Sequence, residues 1–253
     1  MNLKPLLLVG TLSAMGAIAF AEDAKPASPH TITGNFSLTS NYVFRGLTQS
    51  DKKPAIQGGY DYSHACGFYA GVWASSEQWV SDGGYGKNSL ETDFYLGYKY
   101  SPVKDLTLDL GAIEYYYPGR YEADSTKPHT TEAYLGVSYK WASFKFSHSL
   151  TSDFFGSTDA KGVNYYDFTA TPSLPYGLTL ALHAGRQDFK KDYSSFASYN
   201  DYKVGISKEV VPSYTLALAY TYANTNGKSF YFYSAENKNI GGSQVALTFT
   251  KAF

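Results

Sequence analysis

The sequence predicts an all-β fold: a transmembrane, antiparallel, up-and-down β-barrel of about twelve strands with both termini periplasmic. Three observations lead there. From Ile32 onward apolar residues recur with period two rather than 3.6, the spacing of a strand with one apolar and one polar face. The connections between these stretches alternate between short and long, as in a barrel with tight turns at one end and loops at the other. The chain also opens on a segment with the layout of an export signal.

That segment is residues 1–21. Lys4 supplies the positive start, Leu6 to Phe20 is an apolar stretch, and Ala19-Phe20-Ala21 gives a small-x-small cleavage pattern before Glu22. A run of about 15 residues is short of the ~20 that a membrane-spanning helix needs. Residues 22–31 then read as a short periplasmic lead-in and 32–253 as the barrel. The expected destination is the outer membrane of a Gram-negative bacterium, reached by Sec export.

In the first strand Ile32, Gly34, Phe36, Leu38, Ser40, Tyr42 and Phe44 share one face, with Thr33, Asn35, Ser37, Thr39, Asn41 and Arg45 opposite. Leu90, Thr92, Phe94, Leu96, Tyr98 and Tyr100 repeat the pattern, as do Tyr214, Leu216, Leu218, Tyr220 and Tyr222. The predicted strands are 32–45, 54–63, 68–75, 89–101, 106–117, 131–140, 144–154, 164–172, 178–187, 200–208, 214–224 and 243–253. Short turns follow every second strand, and polar loops such as 76–88, 118–130 and 225–242 follow the others. Ile113 interrupts the alternation of the fifth strand; a bulge there would swap every later face.

Lipid offers the backbone no hydrogen bonds, so spanning strands must close and turn their apolar face outward. Two interfacial aromatic belts are expected, Tyr60, Tyr62, Tyr98, Tyr100 and Tyr139 at the turn end, and Tyr42, Phe44, Tyr220 and Tyr222 at the loop end. The last strand carries Val245, Leu247, Phe249 and Phe253 on one face. It resembles the C-terminal signal read by the outer-membrane assembly machinery, with Lys251 departing from the pattern.

Composition narrows the function. Lys+Arg 21 against Asp+Glu 22 leaves no field to recruit nucleic acid. A mean hydropathy of −0.30 excludes a helical membrane bundle, and a single cysteine, Cys66, excludes an intramolecular disulfide and a cysteine-cluster metal site. No phosphate-binding glycine loop opens a helix, and neither a cofactor nor a metal is expected.

The block Tyr42-x-Phe44-Arg45-Gly46, then Gln49, then Pro54-Ala55-x-Gln57-Gly58-Gly59-x-Asp61-Tyr62 resembles the opening of the TorF family of proteobacterial porins. The resemblance implies an outer-membrane channel and no particular substrate. The expected partners are outer-membrane lipid, the barrel assembly machinery and small hydrophilic solutes.

In such a barrel the polar faces place Asp61, Glu91, Asp93, Asp109, Glu132, Asp153, Asp167 and Asp201 in the lumen, against Arg45, Lys99, Lys140, Lys145 and Lys203. Cross-strand ion pairs filling the interior are one reading, and a water-filled path whose acid surplus mildly favours cations is the other. Tyr69, Trp73, Tyr95 and Tyr134 join them and are expected to narrow the bore, with a stacking surface for a solute as the alternative. Arg45 is expected to hold Asp61 or Gln57 across the first hairpin, with binding of an anionic solute as the alternative. A plugged, adhesive barrel and a barrel hydrolase are the alternatives. For a lipase-like site His148 faces outward, but Phe146 and Leu150 stand two residues away where a nucleophile would be needed. For a protease-like site His129 lies in a loop with Glu122 and Asp124, and His183 is expected in the lumen. No nucleophile, base and orienting group assemble.

Overall fold

A computed structural model describes residues 28–123, 125–190, 193–225, 232, 234 and 237–253. The expected signal at 1–21 and most of the lead-in lie outside the described residues, as does Asp124. Twelve long strands make the wall: β1 (His30–Thr39), β2 (Ala55–His64), β3 (Phe68–Ser76), β4 (Leu90–Val103), β5 (Leu106–Tyr116), β6 (Thr130–Tyr139), β7 (Ala142–Ser149), β8 (Asn164–Ala170), β9 (Leu178–Asp188), β10 (Tyr199–Val211), β11 (Tyr214–Ala223) and β12 (Gly242–Ala252). Each pairs antiparallel with its chain neighbours. The barrel closes because β1 pairs with both β2 and β12, Thr33 opposite Asp61 and Ser37 opposite Thr250. Closure leaves the wall no free edge.

Side chains sort by parity. Along β4, Phe94, Leu96, Tyr98 and Tyr100 are exposed on the outer surface, while Glu91, Asp93, Tyr95, Gly97 and Lys99 turn inward. The outside is therefore the apolar side: Ile32, Ile56, Leu110, Leu135, Phe168, Val204, Leu218 and Leu247 are all exposed. A band this large and this apolar needs a hydrocarbon cover. Among the described residues no helix is long and apolar enough to cross a membrane; the helices Trp79–Asp82 and Ser194–Ala197 are single turns in loops.

The turn-end aromatic belt is present in Tyr60, Tyr98, Tyr100 and Tyr139, joined by Trp141. The loop-end belt is corrected. Tyr42 is only 2% exposed and Phe44 is partly buried, so neither faces outward; Tyr116, Tyr166, Tyr202 and Tyr220 hold that rim. The reason is that β1 stops at Thr39 and the chain then folds inward. Two further expectations change. Lys140 stands in the turn between β6 and β7 with φ 55° and is exposed, and Asp153 lies in the loop beyond β7; both leave the lumen. At Ile113 the register with β4 and β6 is unbroken. Ile113 points into the lumen, Glu114 points outward and receives the Thr131 hydroxyl, and all later faces are kept.

Candidate functional site

The apolar core lies inside the loop end of the barrel, organised around residues 43–48. Val43–Phe44 and Leu47–Thr48 form a small antiparallel hairpin whose two turn residues, Arg45 and Gly46, have φ of 45° and 77°. Positive φ at both central positions is the type I′ turn that suits two-residue hairpins. Gly46 is also required by space, since a Cβ there would sit 2.6 Å from the Asp201 Cβ on β10. The Thr48 N–H donates to the Ile240 carbonyl at 2.7 Å, and the Gln49 carbonyl accepts the N–H groups of Gln78 (2.7 Å) and Trp79 (3.1 Å). The hairpin is thus tied to two other loops at its mouth. In the second of these Glu77 caps the Val80 N–H at 3.0 Å and accepts from Asn88; burial still raises its carboxyl above the ordinary range.

Arg45 carries the hairpin across the bore. Its Nη1 donates to Glu132 Oε1 on β6 (2.9 Å) and to Gln187 Oε1 on β9 (3.0 Å), and its Nη2 donates to Glu132 Oε2 (2.6 Å). The guanidinium lies 4.2 Å from the Tyr165 ring centroid and 4.8 Å from that of Phe44. A bidentate fork stacked on two rings is a geometry that arginine alone can fill. Around it Phe44 packs edge-on against Tyr115 (5.5 Å) and Phe155 (5.9 Å), and Trp79 against Tyr117 (5.2 Å).

Phe44 and Arg45 line two cavities at once. On the loop side is a cavity of about 200 Å3 walled by Trp79, Tyr85, Phe155 and Phe189. On the other side a cavity of about 160 Å3 is lined by Asp61, Lys99, Asp109, Lys145, Asp167, His183, Asp201 and Lys203. The side chains of Phe44 and Arg45 partition the lumen between them.

In the second cavity each carboxylate has a hydroxyl or imidazole partner. Tyr95 donates to Asp61 (2.6 Å), Tyr69 to Asp109 (2.7 Å), and Tyr134 to Tyr69 (2.5 Å). His183 faces Asp167 through Nδ1 (3.2 Å) and Asp201 through Nε2 (2.8 Å), and Tyr165 donates to Asp201 (2.9 Å). These tyrosines lie along the wall over glycines: a Cβ on Gly97 would fall 2.4 Å from the Tyr69 hydroxyl, and one on Gly111 2.4 Å from that of Tyr134. Glycine there lets a large ring lie flat and leave the lumen open.

The sequence matches the model of a family described as a bacterial protein of unknown function (Gcw_chp), over residues 23–253. The chain belongs to that family. Comparison with curated proteins gave no match. Among solved structures it is similar to the NanC porin in a rhombohedral crystal form, at 12% identity and TM-score 0.54 over 88% of this chain and 99% of that one. It is also similar to the KdgM porin (7%, TM-score 0.54, 88% and 98%) and to the KdgM porin in complex with disordered oligogalacturonate (8%, TM-score 0.53, 88% and 98%). At such identities the likeness is one of fold.

In this Gcw_chp barrel the structure gathers Asp61, Asp109, Asp167, Asp201, Lys99, Lys145, Lys203, Tyr69, Tyr95 and Tyr134 around one cavity, with Arg45 above it. Glu91, Asp93, Glu132 and Trp73 also point inward but are sealed by packing. Tyr42 covers Glu91 with a hydrogen bond of 3.1 Å and meets Trp73 at 5.6 Å between ring centroids. Arg45 does not hold Asp61 or Gln57 as expected, because the infolded hairpin carries it to the opposite wall. Gln57 instead donates to Ser75 at 3.2 Å. Val245, Leu247, Phe249 and Phe253 do lie exposed on the outer surface.

Sequence reading missed Gln187, Tyr115, Phe155 and Trp79, which clamp or cover the hairpin. The available signal was Arg45-Gly46, a glycine-containing dipeptide between the apolar Phe44 and Leu47, which reads as a turn. His148 faces outward and meets Asn164 at 2.7 Å, and His129 accepts the Tyr117 N–H at 3.2 Å. His183 has a carboxylate at each ring nitrogen, and the Thr169 hydroxyl, which donates to Asp167, also lies 3.3 Å from Nδ1. These contacts tie β8, β9 and β10 together.

Proposed function

We propose that this Gcw_chp protein is an outer-membrane channel for passive diffusion of small hydrophilic solutes and ions, narrowed by its own first external loop. The observation that carries the reading is the partition at Phe44–Arg45: a charged, closed lumen with one infolded hairpin standing between its two cavities. The apolar outer band and the two aromatic rims support residence in a lipid bilayer. The signal-like residues 1–21 support Sec export, and the row ending at Phe253 supports insertion by the barrel assembly machinery. The resemblance to the TorF family of porins and the fold shared with the NanC and KdgM porins point the same way.

Ion preference needs restating. Four carboxylates line the cavity beside Arg45, Lys99, Lys145, Lys203 and His183, so the acid surplus of the sequence does not reach the path, and we expect weak selectivity rather than a cation preference. A second reading, an occluded barrel whose loops bind partners, is favoured by the Arg45 clamp across the bore. Planar-bilayer recording of the purified, folded protein in KCl separates the two. The channel reading expects steady single-channel steps. Heat-modifiable gel mobility without conductance would overturn it, and recovery of conductance on removing residues 43–48 would then establish occlusion.

A further inference from the structure

Neighbouring strands place a row of inward residues at one register level: Lys99 opposite Asp109, Asp109 opposite Gly136, Gly136 opposite Lys145, Lys145 opposite Asp167, Asp167 opposite Gly185, and Gly185 opposite Asp201. Lys203 follows Asp201 two residues along β10. Directly opposed Lys and Asp ordinarily pair across strands. Here the carboxylates are taken up elsewhere. Asp109 receives Tyr69, Asp167 holds His183 and Thr169, and Asp201 holds His183 and Tyr165.

The ammonium groups are left differently. Among the described residues the ammonium groups of Lys99, Lys145 and Lys203 make no ion pair and no hydrogen bond. Lys99 lies 4.7 Å from the Tyr69 ring centroid and Lys145 5.5 Å from that of Tyr134, and Asp167 attracts Lys145 and Lys203 only through space. All three line the cavity of about 160 Å3. A lysine ammonium has three donors and no acceptor. The cavity therefore offers an entering solute unspent cationic donors, while each of its carboxylates already accepts a hydrogen bond.

We propose that Lys99, Lys145 and Lys203 form a binding site for a small oxyanion, a carboxylate or phosphate, below the Arg45 partition. The size limit follows from the volume: a cavity of about 150 Å3 admits a benzene-sized molecule, so the site takes an acid of a few carbons and excludes an oligosaccharide. The flat tyrosines over Gly97 and Gly111 keep that space open. As a waypoint for a permeating anion the site rests on the channel reading, but its binding is measured separately.

The experiment uses the folded full barrel in detergent and follows the NMR relaxation of two matched probes, lactate and glycerol, which have the same number of heavy atoms and differ in charge. Lactate relaxation is expected to be enhanced and glycerol relaxation not. K145M and K203M should each weaken lactate binding roughly tenfold, the scale of one charge-assisted hydrogen bond. K145R should restore it, and K104M, in an exposed turn, should leave it unchanged. Equal binding of glycerol and lactate, or full binding by K145M and K203M, would overturn the proposal. If K145M does not fold, K145R and K203M carry the same comparison. Absence of conductance with lactate still bound would sink the channel reading and leave the site standing.

Discussion

Arg45 grips Glu132 through both terminal nitrogens, at 2.9 and 2.6 Å, although one residue sits in the loop after β1 and the other on β6. Both side chains are almost wholly buried. Removing one partner leaves a buried charge alone, which costs about 3–5 kcal/mol, whereas replacing both with apolar groups costs far less. E132Q and R45M should each lower unfolding stability in detergent by a few kcal/mol, and R45M/E132M by less than their sum. Single-channel conductance should rise in both single variants as the hairpin loosens. Unchanged conductance in the folded E132Q protein would show that the clamp does not set the narrowest level.

The outer band gives a second prediction. Leu110 lies mid-strand on β5 and is 62% exposed, so in water L110R would cost almost nothing. Facing hydrocarbon near the bilayer midplane, an arginine costs about 2–4 kcal/mol, falling to about 0–1 near the interface. L110R should therefore destabilise the barrel in phospholipid vesicles by that amount, while Y176R, in the exposed turn before β9, should not. Equal and negligible effects in urea titrations would argue against a bilayer around this face.

How far the sequence could be read depended on what each residue packs against. The wall was legible because Phe94, Leu96, Tyr98 and Tyr100 alternate with Glu91, Asp93, Tyr95, Gly97 and Lys99, and that alternation has one physical cause, lipid on one side and a polar lumen on the other. Tyr42, Val43 and Phe44 continue the period past Thr39 with a different cause. They alternate in a hairpin buried inside the barrel, and period two cannot tell a spanning strand from an infolded one. The same ambiguity placed Asp153 in a strand. The lumen residues were legible from parity, but their partners were not. Arg45 meets Glu132 and Gln187 only because the chain turns at Arg45-Gly46 and crosses the bore, and three-dimensional proximity between β6, β9 and the first loop leaves no local trace.

Gly111 tests the wall of flat tyrosines. An added Cβ would meet the Tyr134 hydroxyl at 2.4 Å and the Leu96 carbonyl at 2.6 Å. The backbone oxygen cannot move without breaking the β4–β5 ladder, so the ring and strand must both shift. Overpacking of this kind costs about 1–3 kcal/mol. G111A should fall in thermal stability and, with Tyr134 pushed inward, pass less current per channel. G136A, whose Cβ would have 3.5 Å to its nearest neighbour, should do neither.

His183 sits between Asp167 and Asp201, 3.2 and 2.8 Å away, and its loss would leave two cavity carboxylates without their shared donor. H183A should cost a few kcal/mol in unfolding titrations, since a buried hydrogen-bonded charge is left uncompensated. Losing that basic group would tilt the lining, four carboxylates beside Arg45, Lys99, Lys145, Lys203 and His183, toward negative charge. The reversal potential across a KCl gradient should move in the cation-preferring direction relative to wild type. H183Q, equally neutral but keeping a donor to one carboxylate, should move it as far and cost less stability. A shift toward anions would mean that the carboxylates do not face the permeating path, and the weak selectivity expected of this lumen would need another origin.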